Sequence, residues 1–394
     1  TLRRKEETMK EKKQHKLKPT ATERRRLTRN SIYRFIYSSA EPVSKQEIAD
    51  ALDVSLPTVH QNISELLEAG YIRAGEVKKS TGGRPPLGYE ANPDIRYTVG
   101  AAVTSNHFRF WAGNLKQEEL GFKSVRIPNA QLDEIKGDAL KREMDIFLEE
   151  SGLDPAKLLG VGITIPGVFD SESEQIVLSP TLKMKNFNIS DFVKEAGIPT
   201  AIMNDSSCAG YEERRMRQLS GQSMDFVYLL LENGVGGAIF MDGKQIRGKN
   251  GRSGEFGHMR IVPDGRVCNC GQRGCLEAYC SAFRITRDFG ISVEQFFDEM
   301  EKEQGKGPKT ALFYDMLRYL SIGIVNLRMA FDCEIVLGGF MTEFLGPFMD
   351  FLRTEVKRLD PFGADADYLK IAASPKASLQ GAAWYHVGKF INQI

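Results

Sequence analysis

From Pro93 onward the chain repeats itself in outline, and that repeat restricts the architecture more than any other feature. Three strand-like runs, 97–103, 108–112 and 120–127, follow one another closely. A helix over 132–151, a buried strand over 159–165, a helix over 189–196 and a strand over 200–203 are predicted next. A second series opens with strands 226–231 and 237–241. It continues with helix 310–331, strand 334–337, helix 342–357, strand 368–372 and a terminal helix 378–391. A meander followed by α/β alternation, met twice, predicts an α/β body of two duplicated lobes with a cleft between them, where ligands usually bind.

The body does not account for the N-terminal region. A chain of 394 residues exceeds one ordinary domain. Residues 1–90 hold 18 Lys and Arg against 12 Asp and Glu, a local charge of +6, which leaves −5 for the rest. Residues 1–26 lack apolar periodicity and are expected to be a basic flexible tail, within which Met9 is a candidate start. Three helices are predicted over 27–74. The first carries Leu27, Ile32, Phe35 and Ile36 on one side. The second starts at Ser44 with Glu47 three residues on, a capping box. After Asp53-Val54-Ser55 the third runs from Leu56 to Ala69, stopped by Gly70. A two-stranded wing is read from Tyr71-Ile72-Arg73 and Glu76-Val77-Lys78, followed by a linker, residues 80–86.

Helices two and three, with a three-residue turn, form a helix-turn-helix. At 100° per residue, Val59, Ile63, Leu66 and Leu67 share the face that packs inward. Ser55, Pro57, Thr58 and Gln61 are left for DNA, with His60 and Asn62 flanking to hold phosphates. Gln61 suits adenine, and Thr58 a thymine methyl or a phosphate. Arg84, held between Gly83 and Pro85, is suited to a narrow A·T-rich minor groove.

Three of the six cysteines, Cys268, Cys270 and Cys275, lie within eight residues of one another. With His258 they offer three thiolates and one imidazole, a set suited to structural zinc with no open position for catalysis. Gly271 and Gly274 let the chain turn so that the sulfurs converge. Cys208, Cys280 and Cys333 fall in apolar or helical settings and are read as core.

Polar groups able to face sugar hydroxyls occur at the ends of predicted elements. They are Pro166-Gly167 after a buried strand, Asn204-Asp205 after another, the stretch Gly254-Glu255-Phe256-Gly257-His258, and Glu277 after Gly274-Cys275-Leu276. In this order, and joined by the cysteine knot, they resemble the ROK family of repressors, open reading frames and sugar kinases. The resemblance covers the chain from about Arg29. It implies an actin/RNase H-like pair of lobes with a sugar site between them. Asn204, Asp205, Glu255, His258 and Glu277 would contact sugar hydroxyls, and His258 would give one ring nitrogen to zinc and the other to the sugar. In the family's kinases the residue matching Asp205 is the general base.

Several positions depart from the kinases. Where they carry Asp-x-Gly-Gly-Thr to cradle ATP phosphates, this chain has Ala102-Val103-Thr104-Ser105-Asn106. Their Gly-Thr-Gly is Glu232-Asn233-Gly234, a carboxylate that would repel triphosphate, and their Gly-Gly-Gly is Gly338-Gly339-Phe340. Pro180-Thr181-Leu182 stands where the family often has Pro-Asn-Leu. The expectation is a repressor of carbohydrate-utilisation genes without catalytic residues, an ATP-dependent sugar kinase being the alternative. Expected partners are double-stranded operator DNA, a sugar or sugar phosphate, and a second copy in a homodimer or dimer of dimers. The expected division is tail 1–26, winged helix-turn-helix and linker 27–92, first lobe 93–204 with helix 377–394 packing back, and second lobe 205–376. With 41% hydrophobic and 27% charged residues, no apolar run of ~18 residues and no secretory h-region, a bacterial cytoplasmic location is expected.

Overall fold

A computed structural model describes residues 20–77, 87–104, 107–127, 137–170, 175–179, 182, 184–188, 199–363 and 365–394. Thr20 caps α1 (Ala21–Ser38), in a capping box with Glu23. The helix therefore starts within the stretch read from sequence as a flexible tail: Thr-x-x-Glu satisfies two end donors and offsets the run of like charges after it. Ser44 and Glu47 form the second capping box, opening α2 (Lys45–Leu52). Ser55 caps α3 (Leu56–Glu68). Ile32, Tyr33, Ile36, Ile48, Val59, Ile63 and Leu66 are all buried. Each such apolar side chain contributes about 1.5–3 kcal/mol. Leu67, expected on the packing face, is exposed, since the three helices close without it.

The wing differs from its sequence reading. The strands are β1 (Ile72–Val77) and β2 (Leu87–Ala91), antiparallel, with Ile72 opposite Ala91, and Val43 adds a bridge to Tyr89. Gly75, between the two runs read from sequence, sits inside a single strand. A Cβ there would stand 2.5 Å from the Pro42 side chain, so close packing rather than a turn requires the glycine. The residues read as a linker thus join two wing strands, and Arg84 and its neighbours lie outside the described residues. These elements form one unit, residues 1–95 together with 388–394. Arg29 donates to the Ile394 carbonyl at 3.3 Å and Asn30 to that of Ile391, while the Tyr71 ring meets Phe390 edge-on at 5.7 Å.

The second unit spans residues 96–387. One five-stranded sheet contains β3 (Tyr97–Val103), β4 (His107–Asn114), β5 (Glu119–Arg126), β6 (Leu158–Ile165) and β10 (Thr200–Asn204), in the order β10-β6-β3-β4-β5. A small sheet of β7 (Val168–Asp170), β8 (Gln175–Ser179) and β9 (Met184–Asn188) follows β6. The other five-stranded sheet contains β11 (Phe226–Leu231), β12 (Val235–Met241), β13 (Lys244–Gln245), β14 (Glu334–Gly338) and β15 (Leu369–Ile371), in the order β13-β12-β11-β14-β15. In both, a three-strand antiparallel meander is extended by two parallel strands beside its first member. The duplication read from sequence is present in both sheets, with β13 a strand the sequence reading missed.

The remaining helices cover these sheets. In the first lobe α4 (Gly137–Glu150) buries Leu140, Met144 and Phe147 against the sheet. In the second, α5 (Asp205–Ser220) precedes the sheet. The segments α6 (Glu277–Cys280), α7 (Ala282–Phe289), α8 (Val293–Lys302) and α9 (Pro308–Phe331) follow β13, and α10 (Met349–Leu359) follows β14. The helix expected over 342–357 is two short 3-10 turns and then α10, with Pro347 at the start of the second turn. The last helix, α11 (Ala377–Ile391), lies so close to the first sheet that a Cβ on Gly162 would meet the Ala382 carbonyl at 2.1 Å. Its final residues, from Gly388, group with the first unit instead of packing wholly with the lobe. Among the described residues, no helix is long and apolar enough to cross a membrane.

Candidate functional site

The ends of two parallel strands, β6 and β10, hold the first of the expected site residues, as is usual in α/β sheets. Asn204 ends β10 and Asp205 begins α5, so the strand-to-helix turn fixes both. Asn204 Oδ1 accepts from the Ser207 N–H at 2.8 Å and from the Ser206 hydroxyl at 2.9 Å. Its Nδ2 donates to the Gly167 carbonyl at 3.0 Å. Asn204 is thus a helix cap that ties β10 to the turn after β6, with one amide hydrogen left for a ligand. Pro166 is held in the same turn, its carbonyl accepting from the Ser179 hydroxyl.

Three carboxylates gather next to this turn. Asp205 accepts from the Ser206 N–H at 2.7 Å, yet burial, with Glu277 nearby, pushes its carboxyl up to about 6. Glu255 precedes the short turn Phe256–His258 and is also raised, first by burial and then by Asp205 and Glu277, against the His258 ring. Glu277, buried at the start of α6, accepts from the Val235 N–H at 3.1 Å. Acceptors held so close to one another are costly in an empty pocket. They become favourable when hydroxyl donors occupy it. Glu232, read from sequence as repelling phosphate, is pushed up to about 7 by burial, while Arg109 on β4 opposes the shift. Sequence reasoning passed over Arg109, although a lone arginine inside Phe108-Arg109-Phe110-Trp111 was a visible signal.

His258 joins this pocket to the cysteine knot. Its Nε2 lies 3.8 Å from Glu255 and its Nδ1 3.9 Å from Cys268 Sγ, so the two ring nitrogens face the two sites. The ligand atoms of His258, Cys268, Cys270 and Cys275 all fall within 4.8 Å of one another. Cys270 and Cys275 sulfurs are 3.8 Å apart. A tetrahedral ion with bonds of about 2.3 Å places two sulfurs about 3.8 Å apart, so the set fits one metal ion. Burial raises the Cys268 and Cys275 thiols, and a cation would supply the charge that stabilises thiolates there. The Cys268 thiol also donates to Glu277 at 3.4 Å, which places the knot directly behind the pocket. Gly274, at φ 79, is required: a Cβ would come 1.7 Å from the Val262 carbonyl. The other cysteines, Cys208, Cys280 and Cys333, are buried.

On α3, Ser55, Pro57, His60 and Gln61 are exposed and Thr58 half-buried, the Thr58 hydroxyl lying 2.8 Å from that of Ser55. Glu65, an acid on this helix, is engaged by Arg25 and Arg29 of α1, which reduces its repulsion of a polyanion. Asn62 corrects its sequence reading. It is buried with Val59 and Ile63 on the inner side of α3, its Nδ2 donating to the Thr58 carbonyl at 2.8 Å. It does not face a phosphate in this conformation.

Comparison with known proteins bears on both units. A winged helix-turn-helix DNA-binding family matches residues 26–73. A xylose repressor of Caldicellulosiruptor bescii is 28% identical over 355 residues, covering 84% of this chain and 88% of its own length. An N-acetylmannosamine kinase of Vibrio cholerae is 32% identical over 145 residues, 36% of this chain and 50% of the kinase. The crystal structure of a ROK family transcriptional regulator homologous to the E. coli MLC protein superposes with a TM-score of 0.70 at 21% identity, covering 94% of this chain and 97% of that one, and so shares its fold. The ROK family model itself matches residues 100–388, most of the chain and all of the strands that build the pocket, and the chain belongs to the ROK family.

Proposed function

We propose that this protein is a DNA-binding transcriptional repressor of carbohydrate-utilisation genes whose grip on its operator is set by a sugar or sugar phosphate in the carboxylate pocket. The observation that carries the reading is the pairing in one chain of a winged helix with an exposed Gln61 face and a pocket of Asp205, Glu255 and Glu277. Pro166, Gly167, Asn204 and His258 complete that pocket. Ser55, Pro57, Thr58, His60 and Gln61, with Arg84, are the DNA-reading residues. Structural zinc held by His258, Cys268, Cys270 and Cys275 would fix Glu255 and Glu277, which flank the knot in sequence. The working form is a cytoplasmic homodimer reading a pseudo-palindrome with half-sites spaced by whole helical turns. Ala102 and Glu232, where kinases cradle phosphates, support sensing without turnover.

The test is a thermal-shift panel of sugars and sugar phosphates, D-xylose first because of the repressor relative. A ligand at a hundredfold excess over Kd adds about 2.7 kcal/mol. A hundredfold change in operator affinity needs about the same coupling, and operator must then weaken the sugar by the same factor. Equal sugar affinities with and without operator would end the regulatory reading. The local similarity to a kinase keeps one alternative in the test: sugar-dependent ATP consumption, lost in Asp205→Asn, would make this an enzyme.

A further inference from the structure

Three stretches are matched by sequence to the kinases' nucleotide cradle, and Arg109, beside the first, reaches the third, which in turn lies against the second. β3 and β4 pair with Ala102 directly opposite Arg109. The methyl of Ala102 leaves room for a long neighbour, and Arg109 extends from the first lobe until its guanidinium lies 4.9 Å from the centre of the Phe340 ring in the second. Phe340 follows Gly339, which closely approaches the turn after β11. A Cβ on Gly339 would come 2.5 Å from the Leu231 carbonyl and 2.9 Å from Cγ of Glu232. That turn is fixed in place by the Ala282 N–H, which donates to the Glu232 carbonyl at 2.9 Å. Glu232 and Phe340 are therefore neighbours across Gly339, and the Arg109 guanidinium lies over the Phe340 ring. A second side chain of β4 also senses the far lobe: Glu294 on α8 counters the burial that depresses the His107 ring.

We propose that Arg109, Glu232 and Phe340 form a clasp across the cleft that holds the two lobes together without a nucleotide, so that closure answers to the sugar pocket alone. The chain supplies its own side chains where a catalytic relative would receive a triphosphate. A half-buried guanidinium over an aromatic ring, shielded from water, is held by the attraction of its charge for the ring face. The clasp concerns the ligand-free chain, so it holds or fails independently of which effector the pocket takes.

Hydrogen exchange of the full-length protein, read by mass spectrometry, tests it. In Arg109→Ala the amides of residues 231–235 and 339–345 should exchange roughly tenfold faster, with those of central β11 unchanged. Phe340→Leu, which keeps apolar volume but loses the π face, should accelerate the same segments, and the double variant should add little to either single one. Arg109→Lys keeps the charge without the planar stack and should fall between. It and Phe340→Leu carry the test if Arg109→Ala does not fold. Unchanged protection of those loops in the variants would overturn the clasp. So would calorimetric binding of Mg-ATP to the parent that is lost in Arg109→Ala, because Arg109 would then be a phosphate ligand.

Discussion

Asp205→Asn should make the protein more stable and less able to bind its effector. Asparagine keeps an Oδ1 that can accept from the Ser206 N–H at 2.7 Å, so most of the change is in the charge. Burial carries this carboxyl from an ordinary 3.8 to about 6 in the folded chain. At 1.36 kcal/mol for each tenfold change in proton affinity, holding it ionised costs the native state about 3 kcal/mol. The sign follows from proton counts. Below about pH 4 the group is protonated in both states and costs nothing. Between about pH 4 and 6 the native state keeps a proton that the unfolded chain has released, so stability falls as pH rises, and above about 6 the whole cost is present. Urea unfolding of parent and variant across pH 4 to 8 should therefore show a gap that opens with pH, reaching about 3 kcal/mol in favour of asparagine by pH 7.5. Acid effects on the cysteine knot are common to both proteins and cancel in the difference. A gap that is constant with pH, or an asparagine variant less stable at pH 7.5, would refute the reasoning. In the same preparations, sugar binding should weaken, since a charged acceptor has become a neutral one.

Elemental analysis of protein purified without added metal should find one zinc per chain, and Cys270→Ser should lose it together with several degrees of melting temperature. Gln61→Ala should cost about 1–3 kcal/mol at a single base position and relax specificity there, as read by footprinting on permuted sites. Gly274→Ala puts a Cβ against the Val262 carbonyl at positive φ. It should destabilise the second unit by at least about 1–3 kcal/mol in denaturant titration and release metal as it does so.

The capped helices and the duplicated meanders were readable because one signal dominates each. Ser44 with Glu47 announces α2, and the runs that became β3, β6, β11 and β14 are buried apolar strands. Helix α5 gave no such signal. Glu212, Glu213 and Arg217 look like surface residues, yet all three are buried, Arg217 pairing with Glu213 at 2.8 Å and with Glu334 at 2.6 Å. Interior charge pairs erase the apolar periodicity on which a helix reading depends. The short segments α6 and α7 were hidden for another reason: they are set by the knot and the Tyr279–Tyr319 contact, not by their own patterns. In the candidate site, residue identity singles out Asp205, Glu255 and Glu277, but nothing local reveals that Asn204 is already committed to Ser206, Ser207 and Gly167. The inward turn of Asn62 was equally hidden, since helical phase alone left it at the margin of two faces.

The grouping of Gly388–Ile394 with the winged helix has a consequence for how the protein is made. Domains usually fold as they leave the ribosome, N-terminal first. Here the partners of Arg29, Asn30 and Tyr71 are Ile394, Ile391 and Phe390, which are synthesised only after the whole sensing body. A ribosome stalled anywhere in that body would release a winged helix lacking its last packing layer. Premature termination would then yield a weakened winged helix in place of an intact one.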